Sequence, residues 1–210
     1  IPGFLAKLDV MGELARLRLD ADRRCGPAPA DRIQPILRLL YGELGFRGNV
    51  ADYYDPRNSF LNEVIDRRTG NPISLAIVLM AVCRRARVPA IGISFPGHFL
   101  VGVRRRDDSL AVVDPFDGRM VSRPELRALY ESTTGDPCDI DEHSLVPAPP
   151  RQILARVLNN LRAIYEVRGD QHRLRFVLER MSVLSPSEEV RSRLDALVTS
   201  VTIAPRVSLN

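Results

Sequence analysis

The sequence has no tryptophan, three histidines, three cysteines and a single lysine, Lys7, in 210 residues. Cys25, Cys83 and Cys138 are odd in number, widely spaced and form no C-x-x-C. They therefore support neither a disulfide framework nor a zinc site, and free thiols in a reducing cytoplasm are expected. His143 and His172 stand apart from His98 without ligand spacing, so no metal and no cofactor is expected. No apolar run approaches the roughly 20 residues that span a bilayer, which excludes a membrane helix. The start, Ile1-Pro2-Gly3-Phe4, lacks the basic segment of a signal peptide. It also lacks an initiator methionine, so the natural chain is expected to begin upstream.

With lysine nearly absent, the net charge of +4 is carried by arginine, scattered among 26 acidic residues. No recognition motif accompanies that charge, so nucleic acid is not an expected partner. What is present is ordinary for a globular chain: 45% hydrophobic and 27% charged residues, long enough to bury a full core.

Residues 4 to 19 carry Leu5, Leu8, Met11, Leu14, Ala15 and Leu17 at helical spacing. Gly26-Pro27-Ala28-Pro29 breaks that helix, and Asp31 is expected to cap the next, with Ile33, Ile36, Leu37, Leu40 and Leu44 on its apolar face. Gly45 and Gly48 end it, and the segment from Arg47 to Pro56 reads as a loop. A short helix follows with Phe60, Leu61, Val64 and Ile65 on one side, stopping at Thr69-Gly70.

The stretch from Gly70 to Phe116 organises the chain. Asn71 is the expected N-cap and Pro72 the first residue of a helix whose positions 73 to 82 are apolar nearly all round. Cys83 lies near its far end as a small core residue. Ala90–Phe95, His98–Arg104 and Leu110–Asp114 read as strands, the last two joined by a solvated hairpin tip of arginines and aspartates. Pro115, Asp117 and Gly118 are expected to close the sheet, and Pro124 to Tyr130 is a further short helix. The segment from Gly135 to Pro150 is irregular. From Gln152 onward, helices turn at Gly169-Asp170, a third spans Ser187 to Val198, and the tail after Thr199 is expected to be loose.

Gly70, Ala76 and Val88-Pro89, with His98 in P-G-H-F and Asp114 in V-V-D-P-F, resemble the motifs of the transglutaminase-like superfamily. N-S-F-L-N-E-V and G-N-P-I-S-L narrow the resemblance to its bacterial SirB-type branch, with tetratricopeptide-like helices behind the domain. Leu158, Leu161, Tyr165, Leu174, Leu178, Met181 and Pro186 match that helical pattern. The resemblance implies an α+β fold with a papain-like core, a buried central helix against a small antiparallel sheet. It implies a transglutaminase-like domain with N-terminal helices over residues 1–150, tetratricopeptide-like helices packed on it over 151–199, and a tail over 200–210. It also implies a Cys-His-Asp site, with the thiol at the helix N-terminus, His98 as base and Asp114 orienting it. The cysteine position holds Pro72.

Two functions are therefore weighed. One is a non-catalytic binding or regulatory module for a protein or peptide, or for a small molecule in the cleft beside His98. The other is an acyl-transfer, amide-forming or hydrolytic enzyme using a His98–Asp114 dyad without a thiol. Asn58, Asn62, Asn71 and Ser74, with Asp55, are candidate cleft residues in either case. Capping and loop hydrogen bonds are their alternative roles.

Overall fold

The computed structural model describes residues 2–22, 26–136, 145–184 and 186–203. Cys25, Cys138, His143 and the tail beyond residue 203 lie outside these, so the expectations that fall on them are not taken further. The chain divides into two compact units, Ile1–Pro149 and Pro150–Asn210.

In the first unit, α1 (Pro2–Ala21) buries Leu8, Met11, Ala15 and Leu19, spaced as one helical stripe. A 3-10 turn, Pro29–Arg32, precedes α2 (Ile33–Leu37). Asp31 does not cap α2. It sits inside the 3-10 turn and its carboxylate accepts from the Ala28 N–H at 3.3 Å, because Pro29 starts the turn two residues earlier. A wider π-helical turn, Arg38–Glu43, continues α2, and Gly45 at φ 73° ends it.

Strand β1 (Arg47–Gly48) pairs in parallel with β2 (Thr69–Gly70), on either side of a 3-10 turn at Pro56–Ser59 and α3 (Leu61–Arg67). The sequence reads as loop at Arg47–Gly48, because the partner that makes it a strand lies some twenty residues away. Helix α4 (Pro72–Arg85) buries Ile73, Leu75, Ala76, Val78, Leu79, Val82 and Cys83. It packs on α1 and on the sheet strands β3 and β4.

That sheet is antiparallel in the order β3 (Ala90–Phe95), β4 (His98–Arg104), β5 (Leu110–Asp114), β6 (Arg119–Val121). The fourth strand corrects the expectation that the sheet closes after Asp114. Three residues carry no readable alternation, and β6 is a strand because Val112 and Val113 pair with Val121 and Met120. One core cluster joins Ile93, Phe95, Leu100, Leu110, Val112 and Val121 to Leu126 of α5 (Arg123–Thr134). Together these elements make an α+β fold. None of the described helices is long and apolar enough to cross a membrane.

The second unit comprises α6 (Pro150–Arg168), α7 (Gln171–Leu184) and α8 (Glu188–Ile203). Leu161, Tyr165, Leu178 and Met181 share one buried cluster with Ile164, Val177 and Val190, and Leu158 and Leu174 pack at its edge. Helix α8 runs past Val198, where the sequence reading ends it, to Ile203.

Candidate functional site

The site is built around the first turn of α4. Asn71, extended at φ −92° and ψ 170°, caps it: its Oδ1 accepts from the Ser74 N–H at 3.0 Å. Ser74 Oγ accepts in return from the Asn71 N–H at 3.1 Å and donates to the Asn71 carbonyl at 3.1 Å. This reciprocal box satisfies helix-start donors that would otherwise be orphans. It also occupies the Ser74 hydroxyl, which is buried and has no free path to a substrate. Pro72 fills the first helical position. It contributes neither a side-chain nucleophile nor a backbone N–H.

The loop before α4 is sewn to this cap by buried amides. Asn58, 0% exposed, donates to the Asp52 carbonyl at 2.8 Å and the Tyr53 carbonyl at 3.2 Å. Its Oδ1 accepts from Asn49 Nδ2 at 2.9 Å, and Asn49 Oδ1 accepts from the Asp52 N–H at 3.0 Å. Asn71 Nδ2 reaches Ser59 Oγ at 3.0 Å, and the Asn49 N–H reaches the Gly70 carbonyl at 3.0 Å. Asp55 caps the Pro56–Ser59 turn and pairs with Arg57 and Arg67. Burial pushes the Asp55 carboxyl up, but hydrogen bonds from Arg57 and the Arg67 charge outweigh it and hold the group below the usual carboxylate range. Asn58, Asn71 and Ser74 are thus buried framework, while Asn62 stands exposed on α3.

The end of the sheet meets the same region. The Gly48 N–H donates to the Phe116 carbonyl at 3.1 Å, and a Cβ on Gly48 would stand 2.5 Å from the Phe116 ring. Only glycine lets the loop lie against that ring. His98 begins β4 and Asp114 ends β5, so both stand at this end. Continuing the register of Val101 with Val113 puts Leu100 opposite Asp114 and His98 diagonal to it on the same face. Such diagonal pairs are about 7–8 Å apart at the backbone. Both side chains are half-buried. The Asp114 carboxylate does not bond His98. Its Oδ1 accepts from the Phe116 N–H at 2.8 Å and the Asp117 N–H at 3.4 Å, an Asx turn that starts the link to β6.

One residue at this point carried no sequence signal. The π-helical turn aims Tyr41 at the link, where its hydroxyl donates to the Pro115 carbonyl at 2.7 Å. Burial pushes its phenol pKa up, and the Asp114 charge adds to the shift. Gly118, at φ 69°, leaves room for this ring: a Cβ there would meet Tyr41 Cγ at 2.2 Å.

A family model described as the transglutaminase-like superfamily matches residues 3–159. The chain belongs to the transglutaminase-like superfamily. A UPF0162 protein of Xylella fastidiosa (strain 9a5c) is 42% identical over 161 residues, 75% of this chain and 57% of that protein. A UPF0162 protein of Pseudomonas aeruginosa is 36% identical over 141 residues, 67% of this chain and 51% of that protein. F-box only protein 21 of Mus musculus is 43% identical over 69 residues, 33% of this chain and 11% of that protein. The chain spans about half the length of the UPF0162 proteins it matches. No solved structure matches.

Cys83 does not stand at the N-terminus of α4, where the resemblance implies a thiol. It lies in the last turns of the helix, fully buried, and burial pushes its thiol up to about 12. Iodoacetamide near neutral pH is therefore expected to leave Cys83 unmodified in the native chain and to modify it in urea. Peptide mapping checks this, and native alkylation of Cys83 would contradict the buried thiol. Among the described residues no cluster of His, Cys, Asp and Glu is able to hold a metal ion.

Proposed function

We propose that this chain is a non-catalytic transglutaminase-like domain of the SirB-type branch, acting in the cytoplasm as a binding or regulatory module. Its contact surface is the region where the start of α4 meets the loop from Asn49 to Phe60. The observation that carries this reading is Pro72 at the first position of α4. Acyl transfer at a helix N-terminus needs a nucleophile and backbone N–H donors for the oxyanion. Proline removes the first and one of the second.

The loop supports a binding role. Val50 is 81% exposed and Tyr54 64%, with Tyr53 and Phe60 also exposed. Tyr53 lies edge-on to Tyr54 at 5.4 Å between ring centroids and 6.1 Å from Phe116. Rigid exposed tyrosines offer large contact area at low entropic cost, as at recognition surfaces. The amides of Asn49 and Asn58 fix the backbone that presents them. A protein or peptide is the partner class that such a surface suits. The tetratricopeptide-like reading of α6 and α7 gives a second contact surface in the same module.

Hydrolysis of an activated ester, p-nitrophenyl acetate, separates this reading from a His98–Asp114 enzyme. The native chain and His98→Ala are expected to hydrolyse the ester at the same rate, with no acyl adduct by intact mass. A positioned general base contributes about a hundredfold or more. A His98-dependent rate of that order, or a stable adduct, would make the chain an enzyme.

A further inference from the structure

A groove of about 460 Å³ lies between α1 and α3, within the first unit. Its size falls in the range of small-molecule sites, about 300–1,000 Å³. Val10, Met11, Phe46 and Ile65 give it an apolar lining, and Val10 remains 60% exposed beside the buried stripe of α1. Met11 adds an adaptable wall. The rim is charged. Lys7, the chain's single lysine, pairs with Asp66 across α1 and α3. Arg68 also lines the groove, and among the described residues its guanidinium has no ion-pair partner. Arg68 is exposed and adds one positive charge, without an ion-pair partner among the described residues, to those that line the groove.

Arg68 is also a backbone exception. It occupies the left-handed position after α3, at φ 55°, where glycine is unstrained and a long side chain is disfavoured. Its carbonyl accepts from the Arg47 N–H at 2.9 Å, which fixes the turn that presents the side chain. A non-glycine residue held in this conformation beside an apolar groove points to a role for its side chain there. We propose that this groove binds a small amphiphile with an apolar body and one carboxylate head, the body lying between α1 and α3 and the head paired with Arg68. A monoanion matches the single free cation. A dianionic phosphate would bring excess negative charge beside Asp66. The guanidinium fork suits a carboxylate in particular, because it bonds both oxygens.

The test uses sodium decanoate, 1-decanol and decyltrimethylammonium as probes, below their aggregation concentrations, in isothermal titration. Decanoate is expected to bind saturably at one site per chain, and the other two at least tenfold more weakly. Arg68→Gly relieves the backbone strain, so it folds, and it should weaken decanoate at least tenfold. Val10→Glu, on the groove wall, should abolish binding. Amine-reactive labelling of Lys7 should slow when decanoate is bound. Equal binding of decanol, or decanoate binding untouched by Arg68→Gly, would overturn the assignment of the head. Binding untouched by Val10→Glu, or no binding of decanoate at all, would overturn the site. An amphipathic helical peptide that bound where decanoate did not would overturn the small-amphiphile reading in favour of a protein segment.

Discussion

Replacing Asn58 by leucine is expected to cost about 3 kcal/mol of folding stability, read as a fall in the urea midpoint. The side chain is fully buried and nearly isosteric with leucine, so the loss is one of hydrogen bonds rather than volume. Three hydrogen bonds are lost at once, those given to the carbonyls of Asp52 and Tyr53 and the one accepted from the amide of Asn49, while the Asp52 carbonyl keeps the Asp55 N–H at 3.3 Å. The buried Asn49 amide left without a partner costs about 1–3 kcal/mol, and each lost bond to the carbonyls of the exposed Asp52 and Tyr53 about 0.5–1.5 kcal/mol. Native domains hold only about 5–15 kcal/mol in total, so a loss of that size is a large fraction of the whole. Asn62→Leu is the control: exposed on α3, it should change stability by no more than about 0.5 kcal/mol. A cost below about 1 kcal/mol for Asn58→Leu would mean that the loop is not held by these amides. The rigid presentation of Tyr53 and Tyr54 would then lose its basis.

How much of this was legible depends on how local each cause is. The start of α4 could be read from Asn71, Pro72 and Ser74, because an N-cap and a proline at the first position act within one turn. Strands β3, β4 and β5 could be read to the residue. Their β-branched runs are bounded by Pro96-Gly97 and by the charged turn after Arg104, and those turns set the hairpins. Strand β6 and the parallel pair β1–β2 were not legible. Arg119–Val121 and Arg47–Gly48 are too short to show a pattern, and each owes its conformation to a partner strand.

The candidate site divides in the same way. His98 and Asp114 are singled out by motif alone, and their common sheet end follows from a register that the turns dictate. The engagement of Asp114 with its own turn, and the reach of Tyr41 to Pro115, depend on a π-helical turn that no residue pattern announces. The asparagine network was visible only as polar residues in a loop. What burial made of them is a tertiary outcome: the Asn49 amide closed on Asn58, the Asn58 amide on the Asp52 carbonyl and the Asn71 amide on the Ser59 hydroxyl.

The central claim is that Pro72 stands where a transglutaminase-like domain carries its thiol. The variant Pro72→Cys tests it most directly, since it restores both the thiol and the backbone N–H that proline lacks. A cysteine there would sit at the positive end of a fourteen-residue helix capped by Asn71, where the dipole favours a thiolate. The family motif implies that His98 faces this position, where its imidazolium would favour the thiolate further. The measurement is the pH dependence of iodoacetamide alkylation at residue 72, in Pro72→Cys and in Pro72→Cys with His98→Ala. A thiol pKa at least one unit below the ~8.5 of a free cysteine, about 1.4 kcal/mol, rising again when His98 is removed, is the expected result. A pKa near ~8.5 that does not move with His98 would mean that residue 72, His98 and Asp114 do not form one site, and the account of a disarmed catalytic centre would fall.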